Sequence, residues 1–194
     1  MSRLAPDRRR AQLIEAAVDT FVGRDPSLVG VDEVAARVGV SRSLVYAYFG
    51  DRAGLLTAVH DALAERLAHA VGLGDAAAGD PAVAWSRDAF AGVVRAYLEF
   101  ARDNPGEWQL TVTLGAMSLD GIRAARRRHG EQLARTLGGG PGAVLLARAV
   151  VGLVESGAGQ WREQEGEMDL DGAVELLTRV GWDGLAGLVA VTRA

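Results

Sequence analysis

The sequence predicts an all-α chain in two parts, an N-terminal three-helix helix-turn-helix head joined to a C-terminal helical ligand-binding and dimerisation body. Three observations carry this. Apolar residues recur at three- and four-residue spacing along the 194 residues, and no segment sustains the alternation of a half-buried strand. The stretch Gly30–Leu56 reads as two short helices joined by a tight turn and followed by the start of a third. The last two predicted helices are apolar on more than one side, which calls for more than one neighbour. The division falls after residue 53, giving parts 1–53 and 54–194.

In the head, Arg8–Val22 forms the first helix, with Ile14, Ala17, Val18 and Phe21 on its core-facing stripe. Arg8, Arg9 and Arg10 stand at its start, within reach of phosphate. Gly23–Val29, with Gly23, Pro26 and Ser27, is a loop. Val31, Val34, Ala35 and Val38 make the stripe of the second helix, which Gly39 stops because glycine takes a positive φ without a Cβ penalty. Ser41 is a good N-cap for a third helix running to Phe49. Ala35 is small enough to let that helix cross closely, and Val40, Val45 and Phe49 form its inner side. Arg42, Ser43, Tyr46 and Ala47 then share the outer face, flanked by Leu44 and Tyr48. Those residue types suit DNA. Arginine forks onto a guanine edge, and leucine or alanine touches a thymine methyl. Serine and tyrosine hydroxyls bond phosphate oxygens. Arg52 sits just beyond, at the start of the next helix, beside the expected DNA backbone.

The runs Val31-Asp-Glu-Val-Ala-Ala-Arg-Val-Gly-Val-Ser-Arg and Leu44-Val-Tyr-Ala-Tyr-Phe-Gly-Asp-Arg-Ala-Gly-Leu resemble the N-terminal signature of transcriptional regulators of the TetR/AcrR type. The resemblance is specific over about Arg8–Val59 and looser afterwards. It implies a homodimeric repressor that binds a palindromic DNA operator and holds a small-molecule effector among its C-terminal helices. It also implies DNA contacts from Ser41, Arg42, Ser43, Leu44, Tyr46, Ala47, Tyr48 and Arg52. This chain has Gly30 where the family often has threonine, Ala47 where an aromatic is usual, and Tyr48 where histidine is frequent. The threonine serves the family as N-cap and phosphate contact, which Gly30 has no side chain to make, and the departures are expected to alter which operator is read and not whether DNA is bound.

The body begins with a helix that Asp51 caps and that runs to about Gly72, with Leu55, Val59, Leu63, Ala64 and Leu67 inward. Gly72–Gly79 is a linker, after which Asp80-Pro81 opens a helix ending at Asn104-Pro105, with Phe90, Val93, Tyr97 and Phe100 along one side. A short segment follows over Gly106–Met117, then helices over Leu119–Leu137, Ala143–Glu165 and Leu170–Ala190, with Gly138–Gly142 as a break. In the last pair, Leu146, Val150, Leu153, Gly157 and Gln160 step by three and four, as do Val174, Leu177, Gly181, Gly184, Leu188 and Val191. Stripes containing glycine let backbones approach closely. Val150, Leu153, Gly157, Leu177, Gly181, Gly184 and Leu188 are therefore the expected dimer contacts, although the two stripes can also pack on each other within one chain. Phe90, Val94, Tyr97, Trp108, Met117, Gln160 and Trp161 are the candidate lining of an effector pocket, and an apolar or aromatic ligand suits them.

Composition sets the remaining bounds. The formal net charge is −4, but the basic residues, all of them arginine, are unevenly placed. Residues 1–55 hold eight arginines against seven acids, whereas residues 56–194 hold thirteen against eighteen. A mildly basic head on an acidic body fits DNA binding. There is no cysteine, hence no disulfide and no thiolate metal site. No signal-peptide pattern follows the basic N-terminus, and the longest apolar run, Ala143–Val154, is broken by Arg148 and falls short of the ~20 residues a membrane span needs. A cytoplasmic, membrane-free protein is expected. Catalytic, metal and cofactor sites are not expected. His60 and His69 lie nine residues apart on opposite faces of a helix, His129 stands elsewhere, and Asp61 with Glu65 reads as a charged surface beside Arg66. Ser156 lacks the glycine two residues earlier that a nucleophile elbow needs. Gly138–Ala143 follows a helix, where a dinucleotide loop would follow a strand. The competing function is a helical ligand-sequestering or scaffold protein that keeps the helix-turn-helix only as structure; binding to DNA separates the two.

Overall fold

The structure, a computed structural model, describes residues 5–73, 85–164 and 166–184. Among the described residues there are nine α-helices and no strand. In chain order these are α1 (Pro6–Phe21), α2 (Val31–Val38), α3 (Arg42–Phe49), α4 (Arg52–Ala70), α5 (Arg87–Asp103), α6 (Pro105–Ala116), α7 (Asp120–Thr136), α8 (Gly140–Glu163) and α9 (Leu170–Thr178). A π-helical turn over Arg179–Asp183 continues α9. The chain packs as two compact units that do not follow its order. One takes in Met1–Ala64 and Gly106–Arg126, the other Glu65–Pro105 and Arg127–Ala194. A cut after residue 53 therefore does not match the packing, because the first turns of α4, nearly all of α6 and the start of α7 belong with the head.

The first unit has one core. Leu13, Ala17 and Phe21 of α1 meet Val34 of α2, Val45 of α3, and Leu55, Val59 and Leu63 of α4, all of them buried. Leu110 and Leu114 of α6 and Ile122 of α7 complete it. At roughly 1.5–3 kcal/mol for each fully buried large apolar side chain, this burial outweighs every polar contact on the head's surface. Glycines mark its tightest joints. A Cβ on Gly106 would collide with the Val22 side chain, and one on Gly121 with Thr57. The segment 106–117, expected only as a short segment, lies almost wholly in α6, whose Trp108, Leu110 and Leu114 are buried.

In the second unit α5, α8 and α9 pack on one another. Ion pairs order α5 against α9, Arg87 with Glu175 (2.8 Å) and Arg95 with Asp171 (2.5 Å). The start of α5 thereby lies opposite the later part of α9, so the two run antiparallel. The buried side of α5 is Phe90, Val94, Tyr97, Leu98 and Ala101, while Val93 and Phe100 are only half-buried. The expected start at Asp80-Pro81 lies outside the described residues, and α5 begins at Arg87 behind Ser86, whose hydroxyl accepts from the Ala89 amide (3.1 Å). The glycines expected to separate α7 from α8 do so only up to Gly139. Pro141 is tolerated in the first turn of α8, where its missing N–H has no partner to lose. Ala143 and Ala147 of α8 pack with Ala134 of α7. By length and composition alone α8 is apolar enough to cross a membrane, although it carries Arg148 and Glu155. The expected continuation of the last helix to Ala190 is described only as far as Gly184.

Candidate nucleic-acid interface

The helix-turn-helix forms where the sequence places it. Gly30 is extended ahead of α2, and its amide donates to the Glu33 carboxylate (3.1 Å). Arg24 grips the same carboxylate at 2.7 Å, and together these hold Glu33 below the ordinary glutamate value of 4.5, the arginine first and the amide second. Gly39 ends α2 in the left-handed region at φ 70°, ψ 38°. Ser41 then caps α3 by accepting from the Leu44 amide (3.3 Å). Val45 is fully buried, which fixes the rotation of α3 about its axis. Arg42, Ser43 and Ala47 are consequently exposed, with Leu44, Tyr46 and Tyr48 half-buried beside them. Of these, Tyr46 and Tyr48 rest partly on the head's core.

Two arginines stand differently from expectation. Arg52 does not point out as a phosphate clamp. Its Nη2 donates to the Pro26 carbonyl and, at 3.4 Å, to that of Val29, tying the loop between α1 and α2 to the start of α4. The residue is half-buried, and its Nη2 is engaged by backbone. Arg42 does lie on the outer face, but it is held. Its Nε (3.1 Å) and Nη2 (2.8 Å) both donate to the Tyr46 hydroxyl one turn on, and its Nη1 donates to Asp32 of α2 (3.1 Å). Tyr46, and after it Asp32, keeps the guanidinium charged more firmly than usual. Ser41 and Ser43 share a hydrogen bond of 2.9 Å. Arg10 stacks over the Phe49 ring at 5.5 Å, one residue of the N-terminal basic run that α1 holds against α3.

Sequence reasoning missed Gly54. A Cβ there would sit inside the Phe49 carbonyl oxygen, so the first turn of α4 presses on the last residue of α3. Asp51 caps that turn, accepting from the Gly54 amide (2.7 Å). The only signal in the sequence is a glycine within the first turn of a helix, where nothing else requires one.

The candidate effector residues are divided between the two units. Trp108 and Met117 belong to the first unit, Met117 resting on the head's core. Phe90, Val94 and Tyr97 are buried on one side of α5 in the second unit. Gln160 is exposed, and the Trp161 indole donates to the Met168 carbonyl (2.9 Å), which closes the turn between α8 and α9. Trp182, which periodicity does not single out, has its ring 6.0 Å from Phe90, beside Gly181. Among the described residues no group of three or more His, Asp or Glu side chains is placed to hold a metal.

Part of the expected dimer stripes packs within the chain. A Cβ on Gly157 would lie 2.5 Å from Leu177, and one on Gly181 2.6 Å from Phe90 and 3.3 Å from Leu153. These contacts close α5, α8 and α9 on each other within one chain, with Leu177 and Gly181 buried and Gly157 half-buried. Val150 and Leu153 are half-buried, Gly184 is exposed in open space, and Leu188 lies outside the described residues. What stays in solvent is a different set: Leu145 and Val151 of α8, Leu176 of α9 and Val180 after it, exposed by 73, 39, 51 and 53 %.

Residues 13–59 match the family described as bacterial regulatory proteins, tetR family. Over its whole length the chain is 26% identical to the HTH-type transcriptional activator FasR of Mycolicibacterium smegmatis, of which it covers 90%. A TetR-like transcriptional regulator from Rhodococcus sp. RHA1 superposes with a TM-score of 0.61 at 27% identity, over 95% of this chain and 100% of that one. FadR of Bacillus subtilis, solved in complex with stearoyl-CoA, shares the fold with a TM-score of 0.68 at 15% identity, over 90% and 98%.

Proposed function

Taking the chain as a helix-turn-helix transcriptional regulator of the tetR family, we propose that it is a ligand-responsive repressor that binds a palindromic operator as a homodimer. The observation that carries this is the outer face of α3: Arg42, Ser43 and Ala47 exposed on a helix whose rotation Val45 fixes. A helix-turn-helix dimer reads half-sites about 34–36 Å apart, each recognition helix in a major groove. Ser41, Arg42, Ser43, Leu44, Tyr46, Ala47 and Tyr48 are the proposed contacts. Arg52 supports the head from behind.

The dimer in this proposal forms through Leu145, Val151, Leu176 and Val180, because exposed large apolar side chains on two helices are what a four-helix bundle of two copies covers. The effector is proposed to be an apolar or aromatic small molecule held beside Phe90, Val94 and Tyr97, whose aromatic neighbour Trp182 adds a second ring. The stearoyl-CoA in complex with the Bacillus subtilis FadR supports a ligand with a long apolar chain as one form of it. Helix α4 begins in one compact unit and ends in the other, so a ligand-driven shift of α4 would reset the distance between two recognition helices. Such coupling typically amounts to about 1–3 kcal/mol and is reciprocal. The protein acts in the cytoplasm without catalysis in this reading.

Selection from a library of random duplexes tests the proposal. Enrichment of a two-fold symmetric site is the expected result; a chain that enriches no sequence is a scaffold or a ligand carrier. Transcription from a promoter bearing the selected site should fall when the protein is supplied. A rise would place it with the activator from Mycolicibacterium smegmatis.

A further inference from the structure

We propose that Asp32 is a positioning and specificity-determining residue for DNA recognition: it holds Arg42 on the face of α3 and shields its charge from phosphate. This rests on the reading of α3 as the recognition helix. The guanidinium has five N–H donors. Three are engaged, Nε and one on Nη2 by the Tyr46 hydroxyl and one on Nη1 by Asp32. One N–H remains on each terminal nitrogen, the pair of groups an arginine needs to fork onto the O6 and N7 of guanine.

The two partners have different consequences. Tyr46 lies one turn along the same helix and brings no carboxylate, so it orients Arg42 without offsetting its positive charge. The ring also lies under the guanidinium, 5.2 Å from centroid to Cζ. Asp32 is charged and comes from α2, so it fixes Arg42 relative to the helix-turn-helix as a whole. A carboxylate at that place competes with any phosphate that approaches Arg42. On a wrong sequence Arg42 can offer DNA only its charge, and Asp32 already neutralises that charge within the protein. On the right sequence the free fork meets a base edge, and Asp32 need not leave. Its competition therefore falls mainly on non-specific binding, the part of affinity that depends on phosphate neutralisation and salt. Glu33, the other acid of α2, does not do this, since it is occupied by Arg24 and Gly30.

The test compares the full-length protein with its Asp32→Asn variant, which keeps the shape of the side chain and removes the charge. The probes are a duplex selected by the wild-type protein and a scrambled duplex of the same composition, each titrated over a range of salt. For Asp32→Asn, affinity for the scrambled duplex should rise about three- to tenfold. Its salt dependence should steepen by up to about one unit of log K in log salt, because Arg42 is then free to neutralise one more phosphate. The ratio of selected to scrambled affinity should fall at least threefold. Removing any acid near DNA strengthens binding by general electrostatics, so the same change is made in an Arg42→Ala background. There the effect should largely vanish, because the coupling term of such a cycle isolates the pair. If Asp32→Asn leaves the ratio and both salt slopes unchanged, or acts equally with and without Arg42, the proposal is wrong. If the wild-type protein selects no sequence at all, the recognition-helix reading fails first and this one with it.

Discussion

At the scale of single residues, the head depends on contacts that look interchangeable in the sequence and are not. Arg42 and Arg52 both read as exposed cations near DNA, yet one lies on the outer face and the other holds carbonyls of the preceding loop. Sequence position could not separate them, because which way the first turn of α4 faces is set by Gly54 pressed on Phe49. Arg52→Ala should cost about 1–2 kcal/mol of head stability by leaving the Pro26 and Val29 carbonyls short of a donor. It should leave the salt dependence of DNA binding unchanged. A shallower salt slope with unaltered stability would restore Arg52 to the phosphate contacts. Gly54→Ala should destabilise the head by roughly 1–3 kcal/mol, since backbone has to move aside. Gly92 of α5 has open space where a Cβ would go, and Gly92→Ala should instead stabilise by about 0.5–1 kcal/mol. Denaturant midpoints of the two variants moving the same way would refute this contrast.

At the scale of elements, most helices are legible in the sequence because their causes are local. Ser41, Gly39 and the stripe of Val31, Val34 and Ala35 set the limits of α2 and α3 without help from distant residues. Helix α6 is less legible: its apolar residues do not fall on one stripe, and Gly106 reads as a breaker until Val22 is seen packed against it. The continuation of α9 into a π-helical turn has no sequence signal that we can identify. One cap carries a pH dependence. Glu33 is held below 4.5 when folded, so the folded head takes up its proton less readily than the unfolded chain. The contribution is therefore present above pH 4.5 and is lost as pH falls through the lower folded value. Between about pH 5 and pH 3, Glu33→Gln should flatten the fall of the urea midpoint compared with wild type. Parallel curves for the two proteins would show that the Arg24–Glu33–Gly30 contact adds nothing.

At the scale of the whole molecule, the periodicity of the last two helices is real but its meaning is not local. Gly157 and Gly181 serve contacts among α5, α8 and α9, and a sequence cannot say whether a close approach is made to its own chain or to a copy. Likewise, the division of the chain follows from α6 and part of α7 returning to the head, a long-range pairing that composition does not reveal. Leu176→Glu with Val151→Glu should convert a dimer to a folded monomer, seen by sedimentation with unchanged helical circular dichroism. An intact dimer would move the interface elsewhere. Operator affinity should fall with dimerisation, since a lone head makes half the contacts. Whether α3 reads bases is decided by Arg42→Ala on selected and scrambled duplexes. Arg42 lies in the first turn of α3, the end that reaches base edges in this mode of docking. The variant should lose roughly ten- to a hundredfold on the selected duplex, change much less on the scrambled one, and show relaxed preference at one base pair in each half-site. Equal losses on both duplexes, with every base preference retained, would contradict base reading by α3.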